Sequence, residues 1–107
     1  MKKLKKKYID VLEKLGWSVI DYTDDGRVEI ESSSPAGEDL VICVDVKDFP
    51  MSVAEYSNNF DVDEHIEMWL EARQNGTAGV PPARILVHDA EDIEKMLLDL
   101  ADALATV

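Results

Sequence analysis

The chain has almost none of the residues from which disulfides, redox sites and metal sites are built. It contains one cysteine, Cys43, and two histidines in 107 residues. A lone cysteine cannot form an internal disulfide, and this one lies in the longest apolar run, Leu40–Val44, so we expect a buried, unreactive thiol and a reducing, cytoplasmic compartment. That run is far too short for a membrane-spanning helix, and no apolar segment of a signal peptide follows the lysine-rich start.

Sequence patterns that carry catalysis or bind metals are also missing. Ser32–Ser34 lie in a polar loop without the glycine-flanked elbow of a nucleophilic serine, and no glycine-rich phosphate loop is present. Asp21–Gly26 is similar to the start of a calcium loop, but Ser32 occupies the position that needs a bidentate glutamate. Asp61 and His65 lie one helical turn apart with no third ligand nearby. We therefore expect a hairpin turn at residues 21–26, and no enzymatic activity, metal or cofactor.

Basic residues are the other scarce class, and they are placed unevenly. The chain has 11 Lys and Arg against 23 Asp and Glu, which gives a formal net charge of −12. Almost half of the basic residues lie before residue 8, where there is no acid: Lys2, Lys3, Lys5, Lys6 and Lys7. The remaining chain is strongly negative, so we expect it to repel nucleic acid and anionic membranes and to attract basic proteins. Solubility is a simpler explanation of the many acidic residues than the binding of a basic protein. The placement of the acids has to distinguish these two explanations.

Hydrophobic periodicity in the first half of the chain predicts one helix and three strands. Apolar residues recur at helical spacing over residues 2–15, and Gly16 is a suitable helix terminator. Alternating patterns between turn residues then predict strands at 17–23, 27–31 and 40–46. The third strand is the most apolar and is predicted to be central. Together these segments predict a three-stranded antiparallel meander behind an N-terminal helix.

The second half of the chain predicts helices only. Residues 51–59 form a short helix in this interpretation, and Asp61, with Glu64 three residues later, has the form of a capping box that starts another. The prediction allows the last helix to begin before Asp89. This helix carries one apolar stripe: Ala90, Ile93, Leu97, Leu100, Ala101 and Leu104. The prediction is an α+β fold of order α-β-β-β-α-α-α, with two to three C-terminal helices, in a single acidic domain over residues 1–107.

Acidic residues on the predicted third helix repeat at intervals of four. Asp63, Glu67 and Glu71 form one row, and Glu64 lies beside it. Like charges at this spacing destabilise a helix by a few tenths of a kcal/mol for each pair, and alternating lysines would give equal solubility with greater stability. The row therefore favours a binding role, because carboxylates accept hydrogen bonds from the same arginine and lysine side chains that hold phosphates.

The predicted sheet offers a second acidic patch. Glu29 and Glu31 alternate with apolar residues, which places both on the outer face. Asp45 alternates with valines in the third strand, and Asp21 follows Ile20, which is expected to face the core. The predicted partner-binding residues are drawn from the helix row and the sheet patch: Asp63, Glu64, Glu67, Glu71, Glu29, Glu31 and Asp45.

Four blocks in the C-terminal half carry a family resemblance. They are Phe60–Arg73, Gly79–Pro81, His88–Ile93 and Leu97–Leu104. The resemblance as a whole covers roughly residues 49–105. These blocks resemble small acidic proteins of Gram-positive mobile elements and phages, a group that includes type II anti-CRISPR proteins. The blocks contain no catalytic signature and no motif that assigns binding residues.

The resemblance implies a non-catalytic inhibitor of a CRISPR RNA-guided nuclease in the bacterial host. Such an inhibitor binds the nuclease through a nucleic-acid-mimicking surface and blocks guide RNA or target DNA, with no direct binding of nucleic acid or membrane. Two alternatives stay open: an immunity or antitoxin-type protein that neutralises a basic nuclease, and a non-catalytic accessory protein of the mobile element. The sequence also leaves open the oligomeric state, the role of the lysine cluster, and whether Trp17 and Trp69 are core or contact residues.

Overall fold

The computed structural model describes residues 3–35, 37, 39–74 and 83–107, with side chains described throughout these ranges except at 69–74 and 83–86. The secondary structure follows the predicted α+β order of a helix, a three-stranded antiparallel sheet and further helices. The elements are α1 (Lys6–Lys14), β1 (Ser18–Tyr22), β2 (Arg27–Ser33), β3 (Asp39–Asp45), α2 (Phe49–Asn59), α3 (Val62–Gln74) and α4 (Ala83–Ala105). None of the described helices has the length and apolar content to cross a membrane.

The sheet has the strand order β1-β2-β3, so the prediction of a central third strand is wrong and β3 is an edge. Its apolar composition was misleading because only alternate residues, such as Ile42 and Val44, point into the core. Val41 and Cys43 pair with Glu31 and Glu29 on the opposite face. Cys43 is consequently only half-buried, which corrects the expectation of a buried thiol.

An irregularity in β1 explains a second difference from the prediction. The pairing of β1 with β2 shifts between Val19 and Asp21, so Ile20 forms a bulge and its side chain is 48% exposed. Ile20 was predicted to face the core. Asp21 lies on the outer face, as predicted, because the extra residue shifts the alternation by one position: Val19 pairs with the buried Ile30, and Asp21 pairs with Glu29 on the outer face.

Helix α1 begins later than predicted, at Lys6 instead of residue 2. Successive lysines at a helix N-terminus are disfavoured by mutual repulsion and by the helix dipole, which accounts for the shorter helix. The preceding segment is nevertheless held in place: Leu4 is buried, and its backbone N–H donates to the Tyr22 hydroxyl oxygen at 3.3 Å. Gly16, with φ at +84°, follows the helix as expected.

Helix α2 begins two residues before the predicted start. Asp48 adopts left-handed backbone angles, with φ at 53°, and Pro50 lies in the first helical turn, where its missing N–H costs no hydrogen bond. This geometry turns the chain sharply out of β3 and directs Phe49 into the core, where the side chain is 1% exposed. The ring of Phe49 lies 5.6 Å from that of Tyr8 in α1.

The helices cover one face of the sheet and leave the other open. Helix α1 packs on β1, α2 packs on β3, and α4 packs on both helices. The stripe predicted for α4 lies in this interior, apart from the partly buried Ala101, and Trp17 is also a core residue. The buried apolar cluster comprises Leu4, Leu12, Trp17, Val28, Ile30, Leu40, Ile42, Val44, Phe49, Val53, Ile93, Leu97, Leu100 and Leu104.

Candidate protein-binding surfaces

The acidic face of α3 is positioned by the helix cap that the sequence predicts. The Glu64 backbone N–H donates to Asp61 Oδ1 at 3.2 Å, and the His65 N–H donates to the Asp61 carbonyl oxygen at 3.1 Å. Asp61 thus satisfies one of the backbone donors that every helix start leaves unpaired. The cap sets the rotation of the first turn, and it leaves Asp63 and Glu64 exposed.

The acids of α3 differ in what they do for the helix. Asp63 and Glu64 lie in the first turn, where a negative charge interacts favourably with the helix dipole, typically by about 0.3–1 kcal/mol. Glu67 is exposed one turn later and repels Asp63, so helix stability does not account for it. Asp63, Glu64 and Glu67 form no ion pair with any residue that the structure describes. Glu71 belongs to the helix, but its side chain, like that of Trp69, lies outside the described residues.

Apolar side chains lie beside these acids, and none of them is among the predicted partner-binding residues. Met68 is 56% exposed, and Tyr56 at the end of α2 is also exposed. Together with Phe60, Glu64 and His65 they line a shallow cleft of about 330 Å³ between α2 and α3. We call this combination of Asp63, Glu64, Glu67, Met68 and Tyr56 the α3 face. Charged groups around an exposed methionine are typical of surfaces that bind other proteins.

The sheet patch is less negative than predicted. Asp21 and Asp45 are exposed and Glu29 and Glu31 are half-buried, all on the open outer face. Arg27 lies among them: its Nε is 3.5 Å from Asp45 Oδ1, and its Nη2 donates to the Cys43 carbonyl oxygen at 2.9 Å. An exposed pair of this kind adds less than about 1 kcal/mol to stability, but it neutralises the carboxylate that was predicted to bind a partner.

The two groups of predicted site residues do not form one surface. Among the described residues, α3 packs on α4 and contacts no strand. Since α4 belongs to the layer that covers the inner face of the sheet, the outer face and the α3 face are separated by the core. The two surfaces are therefore separate candidates for a protein contact, and the α3 face is the one without a compensating cation in the described part of the chain.

Neither a metal site nor a calcium loop is visible in the described part of the chain. No cluster of three His, Cys, Asp or Glu side chains there has the geometry to hold a metal ion. The predicted hairpin turn is present at residues 23–26, while Asp21 and Tyr22 still belong to β1. The Thr23 N–H donates to the Arg27 carbonyl oxygen at 2.9 Å, and Gly26 has φ at +84°.

Comparison with known proteins identifies no relative of this chain: no protein-family model, no curated protein and no solved structure matches it.

Proposed function

We propose that this chain is a non-catalytic inhibitor that places the α3 face in the basic, nucleic-acid-binding groove of a CRISPR RNA-guided nuclease of type II, and so blocks guide RNA or target DNA. The observation that carries the proposal is the exposure of Asp63, Glu64 and Glu67 on one capped helix with no cation paired to them in the described part of the chain. The sequence resemblance selects the class of nuclease.

The chemistry of the α3 face suits a groove that normally holds phosphates. Asp63 and Glu67 are four residues apart, which corresponds to about 6 Å along the helix axis, so they present successive negative charges to one row of basic side chains. Arginine and lysine bind carboxylates with the same donors that they use for phosphates. Met68 is exposed and adds apolar contact area that a phosphate backbone does not offer.

The sheet patch has a subordinate role in this proposal. Glu29 and Glu31 are half-buried, and Asp45 is paired with Arg27, so the patch offers fewer free carboxylate oxygens than its sequence indicates. We assign it to long-range attraction of a basic partner, which accelerates encounter without close contact.

The experiment that tests the proposal is cleavage of target DNA by a type II nuclease, with this protein added either before or after the guide RNA. We expect inhibition in at least one order of addition. Inhibition only when the protein is added first identifies a block of guide loading, and equal inhibition in both orders places the block later, at target DNA binding or cleavage. Full cleavage in both orders across several type II nucleases contradicts the proposal and favours the immunity-type alternative, which uses the same acidic face against a different basic nuclease.

A further inference from the structure

The strongest feature that the proposed function leaves unused is a basic groove at the opposite end of α2. The segment before α1 and the connection from β3 to α2 enclose a groove of about 650 Å³. Lys3 and Lys5 come from the first segment and Lys47 from the second, so residues far apart in sequence meet there. We call this feature the lysine groove; its apolar lining includes Leu4, Tyr8, Phe49, Pro50 and Met51.

The lysines of the groove are not held in ion pairs, although Lys47 also lines an adjoining cleft with Asp25, Asp45 and Glu55. Lys3, Lys5 and Lys47 are all exposed and form no ion pair with any residue that the structure describes. Asp48 is the one acidic residue in the lining. In a chain with a net charge of −12, the groove is therefore a local site for negatively charged groups.

The lining of the groove favours a polypeptide over a nucleic acid. Met51 is 64% exposed and offers an adaptable apolar contact to a protein side chain. Tyr8, the aromatic residue best placed for base stacking, is half-buried, and its ring is engaged by Phe49 at 5.6 Å and by the Lys7 ammonium at 5.2 Å.

The chain itself carries a surface with the required chemistry. The α3 face combines three exposed carboxylates with Met68, and the lysine groove combines three ammonium groups with Met51. The two surfaces lie at opposite ends of α2, whose 11 residues span about 16 Å, so they do not meet within one molecule. We propose that the lysine groove of one copy binds the α3 face of a second copy.

This contact has two consequences. Each molecule carries both surfaces, so two copies with antiparallel α2 helices are able to form the contact twice. If the contact forms only once, one lysine groove and one α3 face in the pair remain available for further copies. Because the same α3 face is assigned to the nuclease, self-association and inhibition compete for it. The contact has to outweigh the repulsion between two copies of net charge −12, and because it is made by exposed opposite charges it weakens with added salt.

The test is the mass of the protein alone in solution, measured by sedimentation at about 0.05 M and about 0.5 M salt. We expect association of the unmodified protein at low salt and monomers at high salt. The double variants Lys5→Glu/Lys47→Glu and Glu64→Lys/Glu67→Lys should each associate at least ten-fold more weakly. An equal mixture of the two variants should regain association, because each supplies the charge that the other has reversed. The variant Asp99→Lys/Asp102→Lys, which alters exposed acids of α4, should behave like the unmodified protein.

Three results overturn the inference. They are monomers at low salt throughout the accessible concentration range, association that both reversed variants retain, and failure of the mixed variants to associate. Binding of a labelled single-stranded RNA that is lost in Lys5→Glu/Lys47→Glu would instead assign the groove to nucleic acid. The assay contains no nuclease, so its failure and the failure of the proposed function are distinguished.

Discussion

Reversing Glu64 and Glu67 to lysine together is expected to weaken binding to the target nuclease by on the order of 100-fold, or about 3 kcal/mol. Both side chains are exposed on α3, and each reversal replaces an attraction to a basic groove with a repulsion. The helix itself should tolerate the change at residue 67, because a lysine there forms a favourable pair with Asp63 one turn earlier. Affinity is measured by titration of the nuclease, with helix content checked by circular dichroism.

The matched control for this pair is Asp99→Lys with Asp102→Lys. It changes the net charge of the chain by the same amount but alters exposed acids near the end of α4. We expect less than a five-fold loss of affinity, since only long-range attraction is reduced. Equal losses for the two double variants would show that overall charge governs binding, and the assignment of the α3 face would then be wrong. The pair Glu29→Lys and Glu31→Lys tests the sheet patch in the same way.

Phe49→Ala is expected to lower the free energy of unfolding by about 3–5 kcal/mol, as complete removal of a buried aromatic ring usually does. Phe49 is 1% exposed and contacts the Tyr8 ring, so it joins the start of α2 to α1. A chain of this size has a total stability of about 5–15 kcal/mol, so much of the folding free energy is lost. Urea unfolding followed by circular dichroism measures the change directly.

Met51→Ala is the control for Phe49→Ala, two residues further along the same helix. Met51 is 64% exposed, and alanine has the higher helix propensity, so stability should stay within about 0.5 kcal/mol of the unmodified protein. If Phe49→Ala unfolds at the same urea concentration as Met51→Ala, the described start of α2 and its place in the core are incorrect.

Local patterns were sufficient for the element order and for most of the core. The stripe of α4 was predictable because a single face of one long helix repeats every three to four residues, and β2 because Val28 and Ile30 alternate with acids. The failures occurred where the pattern depends on a neighbouring strand. Nothing in the sequence around Ile20 marks the bulge in β1. The position of β3 at an edge is decided by pairing, which the composition of one strand does not encode.

The same distinction between local patterns and contacts distant in sequence applies to the candidate surfaces. The exposure of Asp63 and Glu67 on α3 followed from the spacing of the acids and from the cap at Asp61, which are both local, while Glu71, the third residue of the predicted row, has no described side chain. The pairing of Arg27 with Asp45, and the meeting of Lys47 with Lys3 and Lys5, bring together residues that are distant in sequence. Periodicity within one element contains no information about such contacts. The sequence signal that went unused was the position of Met68, which follows Glu64 by four residues and therefore lies on the same side of the helix as the acids.

The central claim is that the α3 face occupies the place of a nucleic acid, and a pair of dissociation constants tests it most directly. Binding of this protein is measured to a type II nuclease that is free of nucleic acid and to the same nuclease saturated with guide RNA and target DNA. The account predicts binding to the free nuclease that is at least 100-fold tighter than to the loaded one, because carboxylates and phosphates cannot occupy the same basic groove. Equal affinity for the two forms would contradict it.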